Sequence, residues 1–181
     1  MKKEYVLIEN RKYKVILSFE EIDFDYYTNV SLEFICQNKS IIIFRDNLLA
    51  LKNAIDWHYE NIDELDTSLD ENKLGILLNN YYGEGYEKQS QDGLNLDNQG
   101  RWIGEKYCCF LSHEYASWIY RKHENIIVKV TPVFCGYEKD DYIREYNKFL
   151  EEYNDTFREM ITPQELHNMK RIVFELCNEL L

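Results

Sequence analysis

The chain has 181 residues, 45% of them hydrophobic and 15% aromatic, with 33 acidic against 21 basic side chains and a formal net charge of -12. That much apolar and aromatic matter excludes an intrinsically disordered chain. The acidity disfavours nucleic acid and anionic membranes as direct partners and favours basic proteins.

One domain over residues 1–181 is the expectation, with a sizeable core. The N-terminus is positively charged, but Glu9 to Lys14 is polar, so no signal-peptide core forms. Apolar runs such as Ile41–Phe44 are far shorter than the ~20 residues of a membrane span. We therefore expect a cytoplasmic protein. Its five cysteines, an odd number without a secretory signal, read as reduced thiols.

In chain order, Tyr5–Ile8 and Tyr13–Phe19 read as a hairpin. Val30, Leu32, Phe34 and Cys36 share one face of a third strand, and Ile41–Phe44 is its return. Asp46 is a good N-cap. Behind it, Leu48, Leu51, Ala54, Ile55, His58 and Ile62 form an apolar stripe, predicting a helix over 46–62. The apolar stretch 74–82 reads as a strand or buried segment, with Gly75 weakening it. Residues 83–101 hold four of the seven glycines and read as one long irregular loop, uncommon inside a compact domain unless functional or mobile.

Strand character resumes at Trp102–Leu111, and 117–121 with 126–131 form a hairpin about Lys122–Asn125. Tyr142, Tyr146, Phe149, Leu150, Tyr153, Phe157 and Met160 recur at helical spacing, predicting a helix through 160. Thr162, Pro163 and Glu165 make a capping box for a last helix that turns Leu166, Met169, Val173, Leu176 and Leu180 inward. No stretch of sequence repeats another. The expected fold is α+β: a largely antiparallel sheet of about six or seven strands, packed by one central and two C-terminal helices.

Chemistry-bearing residues are few. Cys108 and Cys109 are adjacent, so on a strand their thiols point to opposite faces and cannot share a metal. The four histidines lack the i, i+4 spacing of a helical zinc site. The 92–98 acidic and amide cluster departs from calcium-loop spacing. Phosphate-binding glycine motifs and a basic stripe are both missing. We expect no metal and no cofactor.

Trp118, Ile119 and Tyr120, the run Ile127 to Phe134, and an acidic helix with Tyr146, Phe149, Tyr153 and Arg158 form one pattern. Over residues 117–181 it resembles small, acidic, uncharacterised bacterial proteins of the toxin-immunity type. The resemblance implies a binding role and carries no catalytic residue across.

The expectation is thus a non-catalytic, cytoplasmic inhibitor of a basic protein, plausibly a toxin, acting by occlusion. Its candidate contact residues are Tyr81, Tyr82, Tyr86 and Trp102 in and beside the long loop, with the acidic run Asp63, Glu64 and Asp66. A solvated surface is the competing account of that run. Two alternatives stay open: a structural or homo-oligomeric accessory protein, and an enzyme with an unfamiliar site around Trp102, Glu105 and His113.

Overall fold

The computed structural model describes residues 1–20, 24–37, 39–66, 69–83, 101–136 and 140–179, the side chains of 82 and 83 excepted. The alternating β-formers of the first third form β1 (Lys2–Glu9), β2 (Tyr13–Glu20), β3 (Asn29–Cys36) and β4 (Lys39–Asn47), antiparallel neighbours in chain order. Asn10 shapes the first turn. Its Oδ1 accepts from the main-chain N–H groups of Lys12 (2.9 Å) and Tyr13 (3.1 Å), as asparagine does in turns. Period-two alternation then buries Tyr13, Val15, Leu17 and Phe19 on the same side as Val30, Leu32 and Phe34.

The first helix, α1 (Leu48–Asn61), starts later than the sequence predicts. Asp46 stays in the ladder opposite Val30, and Asn47 caps instead, accepting from Ala50 N–H at 2.8 Å. A 3₁₀ turn follows at Ile62–Glu64. The 74–82 stretch is no strand. It is α2 (Leu74–Gly83), with Leu74 and Leu78 buried; an apolar run without clear period does not distinguish the two. A 3₁₀ helix at Ile103–Tyr107 replaces the first half of the expected 102–111 strand, leaving β5 (Cys108–Leu111).

The hairpin of β6 (Tyr115–Lys122) and β7 (Asn125–Pro132) turns at His123, whose φ of 58° lies in the left-handed region that tight hairpin turns use. The expected 142–160 helix is two elements. After α3 (Tyr142–Glu151), residues Phe157–Ile161 form β8 on the free edge of β7. The capping box stands as read: Thr162 and Glu165 satisfy each other's main-chain N–H groups at the start of α4 (Pro163–Asn178). Leu166, Met169, Val173 and Leu176 are buried, while Leu180 lies outside the described residues.

The class is α+β, but the single sheet of six or seven strands is corrected. Among the described residues there are two four-stranded antiparallel sheets, β1–β4 and β5–β8. Each is a meander in chain order, and each is followed by a helix, α1 or α4. The fold therefore repeats a topology that the sequence does not. The inner faces share one core, where Phe157 packs on Tyr13 and Phe34 (5.2 and 4.4 Å between ring centres) and Phe110 packs on Phe44 (5.5 Å). Helices α1 and α4 pack against each other; Lys170 of α4 pairs with Asp56 (2.9 Å) and Glu60.

The second sheet is buried on both faces. Its outer side chains, Ala116, Trp118, Tyr120 and Ile127, are covered by Leu65, Leu74, Leu78, Trp102 and Tyr107 from the segment between α1 and β5. No helix among the described residues is long and apolar enough to cross a membrane.

Candidate functional site

Helix α1 places two adjacent residues very differently. Trp57 is 44% exposed, whereas His58 is 4% exposed. Tryptophan is mostly buried in folded proteins, so an outward-facing ring is informative. His58 Nδ1 lies 3.0 Å from the Ala54 carbonyl. A carbonyl only accepts, so Nδ1 carries the proton and Nε2 presents a lone pair. That lone pair is buried and has no hydrogen-bond partner.

Burial pushes the His58 pKa down, which outweighs the opposing pull of the Ala54, Tyr107 and Lys106 main chain. The Lys106 and Tyr107 backbone passes near the ring, yet no atom there has hydrogen-bonding geometry to Nε2. A histidine kept neutral on folding stabilises the protein above its unfolded pKa of about 6.5 and loses that contribution as the pH falls below it. Unfolding free energy should therefore drop more steeply between about pH 7 and pH 5 in the native protein than in His58→Gln. Parallel slopes in urea titrations of the two proteins would refute this.

Trp57 and His58 line a groove of about 540 Å³ with Arg101, Trp102, Ile103, Glu105, Lys106 and Cys108. Cys108 is not an activated nucleophile there. Burial and the nearby Glu105 carboxylate push its thiol up to about 12, and the S–H donates to the Phe110 carbonyl at 3.4 Å. Cys109 points the other way, into the core, as strand alternation requires. The groove is lined by the Trp57 ring and Ile103, with Arg101 and Lys106 against the single acidic Glu105. No group of three or more metal-ligating side chains gathers among the described residues.

The other residues singled out in the sequence are scattered. Trp102 is 1% exposed and meets Trp118 edge-on at 6.0 Å, so it holds the second core and offers no ring to a partner. Tyr81 is half-buried against the same core. Tyr86 and the side chain of Tyr82, with nearly all of the 83–101 loop, lie outside the described residues. His113 is exposed in the β5–β6 turn and lines a separate depression with Ile42, Arg45 and Leu111. Trp102, Glu105 and His113 thus do not line one groove.

The acidic run does stand in the open. Asp63, Glu64 and Asp66 are all exposed. Asp63 pairs with Arg121. The run is pinned to β6 by main chain, with Arg121 N–H on the Leu65 carbonyl at 2.9 Å and a bridge between Asp66 and Arg121. It begins about two helical turns beyond Trp57, and Asn61 Nδ2 donates to the Trp57 carbonyl at 2.8 Å, tying the helix end together.

A second polar constellation lies on the outer face of the second sheet. Lys129 of β7 is fully buried; its Nζ donates to Asp155 at 2.9 Å and to the Glu71 main-chain carbonyl. The Glu71 carboxylate accepts from Tyr120 Oη (2.7 Å) and from Arg158 (3.0 and 3.2 Å to Nη2). Burial pushes the Glu71 pKa up, but those hydrogen bonds and the Arg158 charge outweigh it and the net shift is down. This cluster fastens the 70–74 and 154–158 segments to the second sheet. Its trace in the sequence is a lysine, Lys129, inside the otherwise apolar run Ile126–Val130.

Comparison with family models, with curated proteins and with solved structures finds no match to this chain.

Proposed function

We propose that this protein works by binding another protein, and that the partner is basic: an inhibitor of the immunity type, occluding a toxin. The observation that carries this reading is the acidic run Asp63, Glu64 and Asp66, exposed and tied by main chain to β6, on a chain of net charge -12, with an outward-facing Trp57 earlier in the same helical segment. Aromatic anchors flanked by charge are how protein interfaces combine affinity with steering.

The test is growth rescue combined with salt dependence. The expected partner is a basic protein that is toxic when expressed alone, harmless with this chain, and released from it as salt rises. Asp63→Asn, Glu64→Gln and Asp66→Asn together should slow association and weaken rescue. A captured partner that is acidic, or held equally at all salt concentrations, would overturn the electrostatic part.

A further inference from the structure

A groove of about 900 Å³ lies between the β1–β2 turn and the side of β8 that faces away from β7. It touches Asp155 to Glu159 in succession and no residue of β7. Successive strand side chains alternate between faces, so a groove that meets each in turn runs along the strand edge. The ladder fixes which main-chain groups that edge offers. The two-residue turn at His123 and Glu124 makes Lys122 and Asn125 a hydrogen-bonded pair, so Ile126, Val128 and Val130 point their main chain at β8. Phe157, Glu159 and Ile161 answer them. The N–H and C=O groups of Arg158 and Met160 therefore turn outward, where no strand among the described residues pairs with them.

The groove also inverts the charge of the chain. Arg11, Lys12, Lys14 and Arg158 line it against Asp155 and Glu159, on a protein with 33 acidic and 21 basic residues. Both acidic side chains are already engaged, Asp155 by the buried Lys129 and Glu159 by Lys12. Lys14 and Arg158 pair with Glu9 and Glu71, which stand outside the groove. Arg11 is exposed and holds no ion pair among the described residues. A free guanidinium fork suits a carboxylate, which it binds through two parallel hydrogen bonds.

We propose that this groove binds an extended acidic segment of a partner protein, added to β8 as a fifth strand of the second sheet. Its main chain pairs with that of Arg158 and Met160, as in strand addition to any exposed edge. Its side chains alternate between the two faces. Those on the side of Glu159 are acidic and meet Arg11 and its neighbours in the β1–β2 turn, where Lys12 already reaches one carboxylate, that of Glu159. Those on the side of Met160, which is 57% exposed, are apolar. The five residues of β8 span about 17 Å, which sets the length recognised. This site and the acidic run of Asp63, Glu64 and Asp66 use different residues and opposite charge, and neither needs the other.

The probe is the peptide acetyl-Glu-Val-Glu-Val-Glu-amide, titrated into the whole protein while the Arg158 and Met160 amides are followed by nitrogen-15 NMR and hydrogen exchange. Binding should slow exchange at both. Arg11→Ser, a change at an exposed side chain that pairs with nothing, should weaken binding about tenfold. Lysines in place of the glutamates should weaken it by at least as much. Only one edge of the peptide meets β8, so methyl groups on the valine nitrogens and, in a separate peptide, on the glutamate nitrogens should have unequal effects, one set costing about tenfold. Equal binding of the two methylated peptides, or exchange at Arg158 and Met160 that stays fast, would overturn strand addition. A lysine peptide held as tightly as the glutamate peptide would overturn the acidic occupant, and no binding at about 1 mM would overturn both. Exchange already slow without peptide and restored on dilution would assign the edge to a second copy of the chain and overturn the proposal.

Discussion

Replacing Asp155 by alanine should lower the unfolding free energy by about 3 kcal/mol, a large share of a domain's total stability. Lys129 is 0% exposed, on the outer face of β7 between Trp118 of β6 and Arg158 of β8. With Asp155 gone, its ammonium keeps one main-chain carbonyl and no counter-charge. Removing one partner of a buried pair strands the other charge, and that penalty exceeds the net worth of the pair.

Lys129→Met should cost less, about 1–2 kcal/mol, because it removes the desolvated charge and leaves behind an aspartate that is 28% exposed and can rehydrate. The double variant should then resemble Lys129→Met alone, well short of the sum of the single effects. Urea unfolding with a shared m-value measures all three. An Asp155→Ala protein within about 0.5 kcal/mol of the native one would show that the ammonium needs no carboxylate.

Gly75→Ala should also destabilise, although it sits in a helix where alanine is favoured by about 1 kcal/mol. Gly75 of α2 is buried, and a Cβ there would come within 1.7 Å of the Tyr153 hydroxyl and 2.7 Å of the Thr131 side chain. Overpacking of this kind costs about 1–3 kcal/mol. Tyr153 has little room to withdraw, since its ring packs edge-on against Phe149 at 5.7 Å.

Tyr153→Phe is the informative companion. The phenol oxygen is buried and has only the Thr131 hydroxyl beside it, in a geometry too poor for a full hydrogen bond, so its removal should change stability by less than about 1 kcal/mol. It also takes away the closest clashing atom, so Gly75→Ala should cost about 1 kcal/mol less when combined with Tyr153→Phe than when made alone. Equal costs in both backgrounds would place the clash elsewhere, on Thr131.

Much of the chain was legible from local pattern. The four strands of the first sheet, the β6–β7 hairpin and the Thr162–Glu165 capping box all follow from residue type and spacing within one element. The candidate site was less legible. The exposure of Asp63, Glu64 and Asp66 follows from charge at a helix end, which is visible in sequence. The exposure of Trp57 is not legible, because a tryptophan flanking an apolar helical stripe looks like a core residue until its neighbours are known. The burial of Trp102 is hidden for the converse reason: it follows a polar loop, but α2 and β6 close over it.

The sequence by itself determined the acidity, the α+β class, the Thr162–Glu165 cap and the apolar face of most regular elements. Tertiary structure decided that the strands form two sheets, that residues 157–161 join β7 as a strand while 142–151 stay helical, and that one lysine lies in the second core. The reason is physical. Apolar periodicity specifies a face that must be covered, but says nothing of what covers it. An edge strand's unpaired N–H and C=O groups take whichever distant segment the packing brings alongside. Burial of Trp102 and Lys129, and exposure of Trp57 beside the orphan nitrogen of His58, are settled only once those partners are in place.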